Sequence, residues 1–362
     1  MESQQERILI VGGYGAVGRI IAAELGDLFP GHVVVAGRNG EKARALAAAS
    51  NGRIRSLQMD VTRAHQTPEL LDGVALVIIC LDLPDTRFAE MCLRRGIHYI
   101  DITAEDPFLQ QMEALDQVAR DSGSTAVLSV GLSPGITNLL AGHSRGHFDV
   151  LEQLDIHVLL GLGEHHGEAA TRWTLRNLNA TYPILDQGIS RQVGSFTEAK
   201  AVRFPGANGH YTAYRFNLAD QHVLARTMSV PVSSWLAFDP PWVTGLLALL
   251  RRSGLSRLLQ YRWLEDAGVR LTSAMRTGSD RFTVQVEARG TANGRQRQRQ
   301  FAVTGQEQSR ATGLAAAHVA TQLHTETFPA GVFHIEQLFA PLPFLETLTR
   351  RGLRFWDHPQ LA

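Results

Sequence analysis

The first third of the chain is predicted to form a doubly wound α/β domain, followed by a second α+β domain built on a mixed or antiparallel sheet. Three observations predict this. Short apolar runs alternate with helical-period segments as far as Val130. A glycine-rich turn, Gly13-x-Gly15-x-x-Gly18, joins the first run to the first helix. After Gly135 the rhythm changes to longer, strand-like stretches. The expected division is residues 1–135 for the first domain and 136–330 for the second, with 331–362 as a C-terminal segment packing back on the first.

The elements follow in order. Arg7–Val11 is a short apolar strand, and Val17, Ile20, Ile21, Leu25 and Leu28 recur at helical spacing after it. His32–Ala36 is rich in β-branched residues, as a strand buried on both faces requires. Asn39 is an N-cap for the Ala-rich helix running to Ala49. Strands are then expected at Ile54–Met59, Ala75–Leu81, His98–Ile102 and Ser124–Val130, with helices at Thr86–Arg95 and Pro107–Asp121 between them. Beyond Gly135, strands are expected at Leu154–Leu160, Thr283–Ala288 and Gln300–Thr304. The last two are joined across Asn293-Gly294 by a loop longer than the tightest hairpin type. Ala311–Leu323 is an Ala-rich helix.

The position of the glycine motif gives it meaning. It leaves a strand and opens a helix, as dinucleotide-binding Rossmann domains require. Gly13 permits the tight turn, Gly15 lets the backbone approach a pyrophosphate, and Gly18 lets helix and strand pack closely. Tyr14, Ala16 and Val17 complete the turn, whose free N–H groups face the phosphates. The second strand ends in Ala36-Gly37-Arg38-Asn39, without the acid that would bind ribose hydroxyls. Arg38 instead offers a planar cation to a 2′-phosphate, with Lys42 one turn further on, so NADP(H) is the expected cofactor. The alternative for Arg38 is a solvated pair with Glu41. Asp60 and Val61, ending the third strand, meet the adenine or cap a turn. Leu81 and Leu83 leave the fourth strand at the sheet's carboxyl edge, where ligands lie in such folds.

The Gly-Gly-x-Gly-x-x-Gly turn, Ala36–Asn39, Tyr99-Ile-Asp101 and the block Gly131-Leu-Ser-Pro134-Gly135-Ile-Thr-Asn138-Leu-Leu-Ala141 together resemble the saccharopine dehydrogenase-like family. The resemblance covers the first 140 or so residues and implies a mixed-sheet substrate domain that carries a dimer contact, with Pro134 and Gly135 near the nicotinamide. It also implies chemistry on secondary amines of amino acids or on related carbonyl compounds. One departure stands out. Lys42 and Lys200 are the only lysines, so the Lys–His acid–base pair of saccharopine-cleaving members has no lysine between Leu57 and Gly131.

Candidate proton-handling groups are Asp101, after the fifth strand, and Lys200. Their alternatives are a turn cap and a surface lysine. Arg172 and Arg176, spaced i, i+4, share a helix face and could clamp a substrate carboxylate. His165-His166 lacks a third ligand at a recognisable spacing, so no metal is expected. Lys plus Arg and Asp plus Glu each total 35, which gives no field to recruit nucleic acid. The basic arm Gly294–Gln300 is accordingly taken as a charged hairpin edge. Two cysteines, Cys80 and Cys92, and a polar MESQQER start point to a cytoplasmic protein. The apolar stretch Trp242–Leu250 is too short to span a bilayer; it is expected to be buried or to meet a second subunit, with a membrane-surface helix as the alternative. The expectation is an NADP(H)-dependent oxidoreductase acting on a small, amino-acid-derived imine, amine or carbonyl compound as a homodimer. The alternative is a non-enzymatic NADP(H)-binding sensor or regulatory protein.

Overall fold

The computed structural model describes residues 6–163, 168–186, 189–207, 209–274 and 277–359. The chain forms two compact units, residues 1–135 with 312–338, and residues 136–311 with 339–362. Strands are numbered in chain order through both.

The first unit contains β1 (Arg7–Val11), β2 (Val33–Gly37), β3 (Ile54–Gln58), β4 (Val74–Ile79), β5 (His98–Asp101), β6 (Thr125–Leu128) and β15 (Gly331–His334). They form one parallel sheet in the order β15-β6-β5-β4-β1-β2-β3. Strand order reverses between β1 and β4, and the carboxyl ends of these two strands flank the crevice where such sheets take ligands. Ile8, Leu9, Ile10 and Val11 of β1 and Val33, Val35 and Ala36 of β2 are at most 1% exposed, as continuous β-branched runs in a doubly covered parallel sheet should be.

The expected boundary at residue 330 is corrected. Helix Gln308–Thr325 leads into β15, which pairs with β6 and completes the first sheet. Only residues 339–362 join the second unit, where β16 (Arg354–Pro359) pairs with the strand Arg295–Gln306. Apolar periodicity identifies an element but carries no information about which sheet it joins. The expected helix Pro107–Asp121 is also two helices, Asp106–Glu113 and Asp116–Ser122.

The second unit contains β7 (Val150–Leu162), β8 (Thr181–Asp186), β9 (Ile189–Gly194), β10 (Ala199–Val202), β11 (Tyr211–Arg215), β12 (Val232–Asp239), β13 (Thr277–Ala292), β14 (Arg295–Gln306) and β16. Its main sheet runs β10-β11-β12-β7-β13-β14-β16 and is antiparallel except for the parallel β12–β7 pair, so it is mixed. The β13–β14 hairpin is tighter than expected. Ala292 pairs with Arg295, and Asn293 and Gly294 both take positive φ (52° and 70°), the geometry of a two-residue type I′ turn.

Alternation gives this sheet two chemically different faces. Ile156, Val158, Val284, Val286, Phe301 and Val303 are all at most 2% exposed, and helix Ile136–Arg145 packs against β7, β13 and β14. Asp155, His157, Gln285, Glu287 and Gln300 alternate with them and therefore occupy the opposite face.

Helix Pro241–Arg252 buries only Thr244 and Ala248. Trp242, Leu246 and Leu249 are exposed, followed by Leu255, Leu258, Tyr261 and Trp263. The Trp242–Leu250 stretch, expected to be buried or to meet a second subunit, is thus seated on one side and faces outward on the other. No helix among the described residues is long and apolar enough to cross a membrane.

Candidate functional site

The turn after β1 is shaped by contacts that exclude side chains. A Cβ on Gly18 would stand 2.4 Å from the Gly12 carbonyl oxygen and 2.7 Å from Gly13 Cα. On Gly13 it would stand 2.8 Å from Val35. Glycine at both positions lets helix Gly18–Leu28 and β2 close on the turn. Gly12 takes φ +80°, and its carbonyl accepts from Gly15 N at 2.9 Å. Gly15 is exposed, so an anion can reach the backbone there.

Tyr14 ties this turn to the end of β2. Its hydroxyl accepts a hydrogen bond from Asn39 N at 3.2 Å, and its ring lies where a Cβ on Gly37 would fall, 2.5 Å away. Asn39 caps helix Gly40–Ala48, its Oδ1 accepting from Lys42 N at 3.0 Å. Arg38 and Lys42 are exposed, and among the described residues no ion pair joins Arg38 to Glu41. Beside them, Asp60 Oδ1 accepts from Thr62 N and Oγ1 at 3.1 and 2.8 Å. Those bonds hold Asp60 below the usual carboxylate range, with Arg63 and Arg38 adding to the effect. Asp60 therefore caps a turn. Val61 and Leu83 line one small cleft, and half-buried Leu81 lies two residues beyond β4.

The glycine-rich block after β6 is equally constrained. Gly135 takes φ +141°, and a Cβ there would meet the Gly131 carbonyl oxygen at 2.1 Å. Buried Pro134 lies between them, and Leu132 N donates to Thr312 Oγ1 at 3.2 Å. Ser129, at 0% exposure, lies 2.8 Å from His334 Nδ1, whose Nε2 lies 3.0 Å from Glu113. This Ser–His–Glu line joins β6 to β15, with Ser129 and His334 buried. It was invisible in sequence because its members span more than 200 positions.

Asp101 ends β5 at 1% exposure. Tyr99 Oη donates to its Oδ2 at 2.9 Å and Thr103 N to its Oδ1 at 2.8 Å. Burial pushes the carboxyl up to about 7 against the pull of those two bonds. Both oxygens are engaged by the chain itself, and the Thr103 bond is the turn cap expected as the alternative for Asp101.

Lys200 lies on β10 in the second unit. Its Nζ is 3.0 Å from Asp155 Oδ2 and 3.6 Å from Glu287 Oε1. The expected acid–base lysine is therefore a counter-ion to two buried carboxylates. Arg172 and Arg176 do share a helix face, but the carboxylates they hold are the protein's own. Arg176 Nε is 2.5 Å from Glu265, and Arg172 is 2.7 Å from Asp266 and 3.2 Å from Glu265. The substrate-clamp expectation is corrected accordingly: with Glu265 only 5% exposed in its side chain, the arginines offset its desolvation. His165-His166 lies outside the described residues.

A cluster of His143, His147 and Asp357 has donor atoms within 4.8 Å of one another. Arg299 Nη1 lies 2.6 Å from His147 Nδ1 and must donate to it. That leaves the proton of neutral His147 on Nε2, facing His143 Nε2 at 3.4 Å, which is the wrong tautomer for a metal ligand there.

Residues 8–127 match the family model described as the saccharopine dehydrogenase NADP binding domain. Carboxyaminopropylagmatine dehydrogenase of Synechocystis sp. is 24% identical over 272 residues, covering 70% of this chain and 67% of that protein. The structure of saccharopine dehydrogenase (L-Glu forming) from Saccharomyces cerevisiae superposes with a TM-score of 0.66 at 16% identity, covering 98% of this chain and 100% of that one. The match spans the glycine turn, Ala36–Asn39 and Tyr99–Asp101, the residues within 8–127 that carry the resemblance. Residues 8–127 are thus similar to the saccharopine dehydrogenase NADP binding domain, and the chain shares the fold of the yeast enzyme.

Proposed function

We propose that this chain is an NADP(H)-dependent oxidoreductase acting by hydride transfer on a small, amino-acid-derived substrate at a C–N or carbonyl bond. The observation that carries the reading is the Gly12–Gly18 turn at the sheet's reversal point, beside a second strand that ends in Arg38 and no acid. The backbone of exposed Gly15 and half-buried Ala16 and Val17 would hold the pyrophosphate, and Arg38 with Lys42 the 2′-phosphate. NADP(H), when bound, supplies the hydride chemistry. Tyr14 and Asn39 keep the two loops in register, and Asp101 holds the turn after β5 through Tyr99 and Thr103. The Gly131–Gly135 loop is the part of this unit we assign to the nicotinamide side.

The relative's name denotes a dehydrogenase acting on a carboxylate-bearing agmatine derivative, which supports a substrate carrying both an acid and an amine-derived nitrogen. We expect the working form to be a homodimer covering the exposed Trp242–Trp263 row. Sedimentation should give a dimer that Leu249→Glu with Leu258→Glu converts to monomer; a monomeric parent, or a double variant that stays dimeric, would remove that element.

The test of the cofactor reading is fluorescence titration with NADPH and NADH, repeated with Arg38→Ala. Loss of one charge-assisted phosphate contact should weaken NADPH by about tenfold or more and leave NADH nearly unchanged. Equal affinity for both, indifferent to Arg38, would sink the NADP(H) preference. Absence of binding by either would sink the oxidoreductase reading.

A further inference from the structure

The polar face of the second unit's sheet carries a cavity of about 530 Å³, lined by residues that include His157, Lys200, Arg203, Gln285 and Glu287. Its size suits a small metabolite. The register of the sheet builds its floor: His157 lies opposite Gln285, and Asp155 opposite Glu287, which in turn lies opposite Gln300.

Two floor residues stand out for what they lack. His157 is 1% exposed, and neither ring nitrogen has a hydrogen-bond partner. Gln285 is also 1% exposed, with an unpartnered Oε1. An unsatisfied buried polar atom is costly, and three of them beside one cavity are not explained by packing. Desolvation and the nearby Lys200 hold His157 neutral, at about 4, so its ring presents one donor and one acceptor. Gln285 Oε1 can only accept.

The charges on this floor are balanced. Asp155 and Glu287 face Lys200 at 3.0 and 3.6 Å and Arg289 at 3.4 and 2.6 Å. Burial raises both carboxyls, but Lys200 and its neighbours outweigh that and hold them below the usual range. The floor thus contributes hydrogen-bonding groups and no net charge. The uncompensated charge belongs to exposed Arg203 on the wall, which makes no ion pair among the described residues.

We propose that this cavity is a binding site for a small carboxylate bearing a neighbouring hydroxyl or amino group. The carboxylate meets Arg203, and the O–H or N–H group reaches Gln285 Oε1 and the His157 ring. The site is made wholly of second-unit residues and does not depend on the nucleotide reading above.

The experiment is calorimetric titration of the full chain with sodium L-lactate, L-serine and sodium propionate. It is paired with NMR of the histidine side-chain nitrogens under the same additions. L-lactate or L-serine should bind and shift one buried, neutral histidine signal that is missing in His157→Gln. Propionate, which lacks the donor, should bind at least about tenfold more weakly, and Arg203→Ala should weaken the active probe by about the same factor. NADPH titrations should be unaffected by Arg203→Ala. Failure of both donor-bearing probes to bind would overturn the proposal. So would propionate binding equally well, or binding indifferent to Arg203. Arg203 is exposed, so its variant decides the matter even if His157→Gln does not fold.

Discussion

Each unit buries a titratable side chain whose charged form desolvation disfavours, yet the two burials differ in kind. Asp101, in the first unit, has a protein donor on each carboxyl oxygen. His157, in the second, has no partner on either nitrogen. The first is a finished piece of architecture that fixes the turn after β5. The second has hydrogen-bonding capacity left over, and it lies beside empty volume. Perturbed ionisation is common to both, so it does not separate a site from a scaffold. The state of the hydrogen bonds does.

The comparison can be broken most forcefully in the second unit. Lys200→Met leaves Asp155 and Glu287 with Arg289 as the remaining cation of the group. Removing one member of a buried charge cluster typically costs about 3–5 kcal/mol, reduced here because Lys200 keeps 29% exposure. Urea unfolding should report a loss at the lower end of that range. A loss below about 1 kcal/mol would mean that water reaches the carboxylates and that the floor is not the closed network described.

The first unit should fail differently. Gly18→Ala puts a Cβ against backbone, where nothing can swing away, and should destabilise the turn by about 2–3 kcal/mol. NADPH binding should fall by an order of magnitude or more with it. All five tryptophans, Trp173, Trp235, Trp242, Trp263 and Trp356, lie in the second unit, so selectively excited tryptophan emission reports on that unit. The parent emission spectrum should persist in Gly18→Ala and change in Lys200→Met, whose Nζ sits 5.8 Å from the Trp235 ring. Full NADPH affinity in Gly18→Ala would contradict the geometry of the turn.

The two units were also unequally legible. The nucleotide turn is local: within seven residues a strand ends, glycines fold back and a helix begins, so residue type and spacing carry most of the geometry. Arg38 and Lys42 could be named for the same reason. The part of Tyr14 could not, because its partners Gly37 and Asn39 meet it only once β1 and β2 pair. The second-unit cavity draws on positions 157, 200, 203, 285 and 287, brought together by strand register. Asp155 and His157 were visible only as interruptions in the apolar run Leu154–Leu160. Arg172 and Arg176 were correctly set on one helix face. Their partners Glu265 and Asp266, about 90 residues on, carry no signal at that distance, so the function inferred for the pair went to an absent substrate.

The finest test of the comparison is the opposite pH response expected of the two buried groups. Asp101 rises to about 7 in the fold from an ordinary value of 3.8. The folded state therefore holds a proton that the unfolded chain has released, and stability falls as pH rises from about 4 through 7. Asp101→Asn keeps an acceptor for Thr103 N, its Nδ2 donating to Tyr99 Oη in place of the bond Tyr99 gave, and removes the titration, so it should gain on the parent over that interval. His157 falls to about 4 from 6.5. The unfolded chain there binds the extra proton, and stability falls as pH drops from about 6.5 through 4. His157→Gln should therefore gain on the parent as the solution is acidified. Each gain is on the order of 1–3 kcal/mol, since solvent penetration reduces what the full shifts would give. Denaturation midpoints of parent and variants at pH 4.5, 6 and 7.5 suffice to see both slopes. Parallel slopes for the two variants would mean that desolvation is not what sets both groups. Addition of sodium L-lactate should then raise the parent's stability at pH 7.5 through His157's unit and leave the Asp101 slope untouched, because only the histidine has bonds still to make.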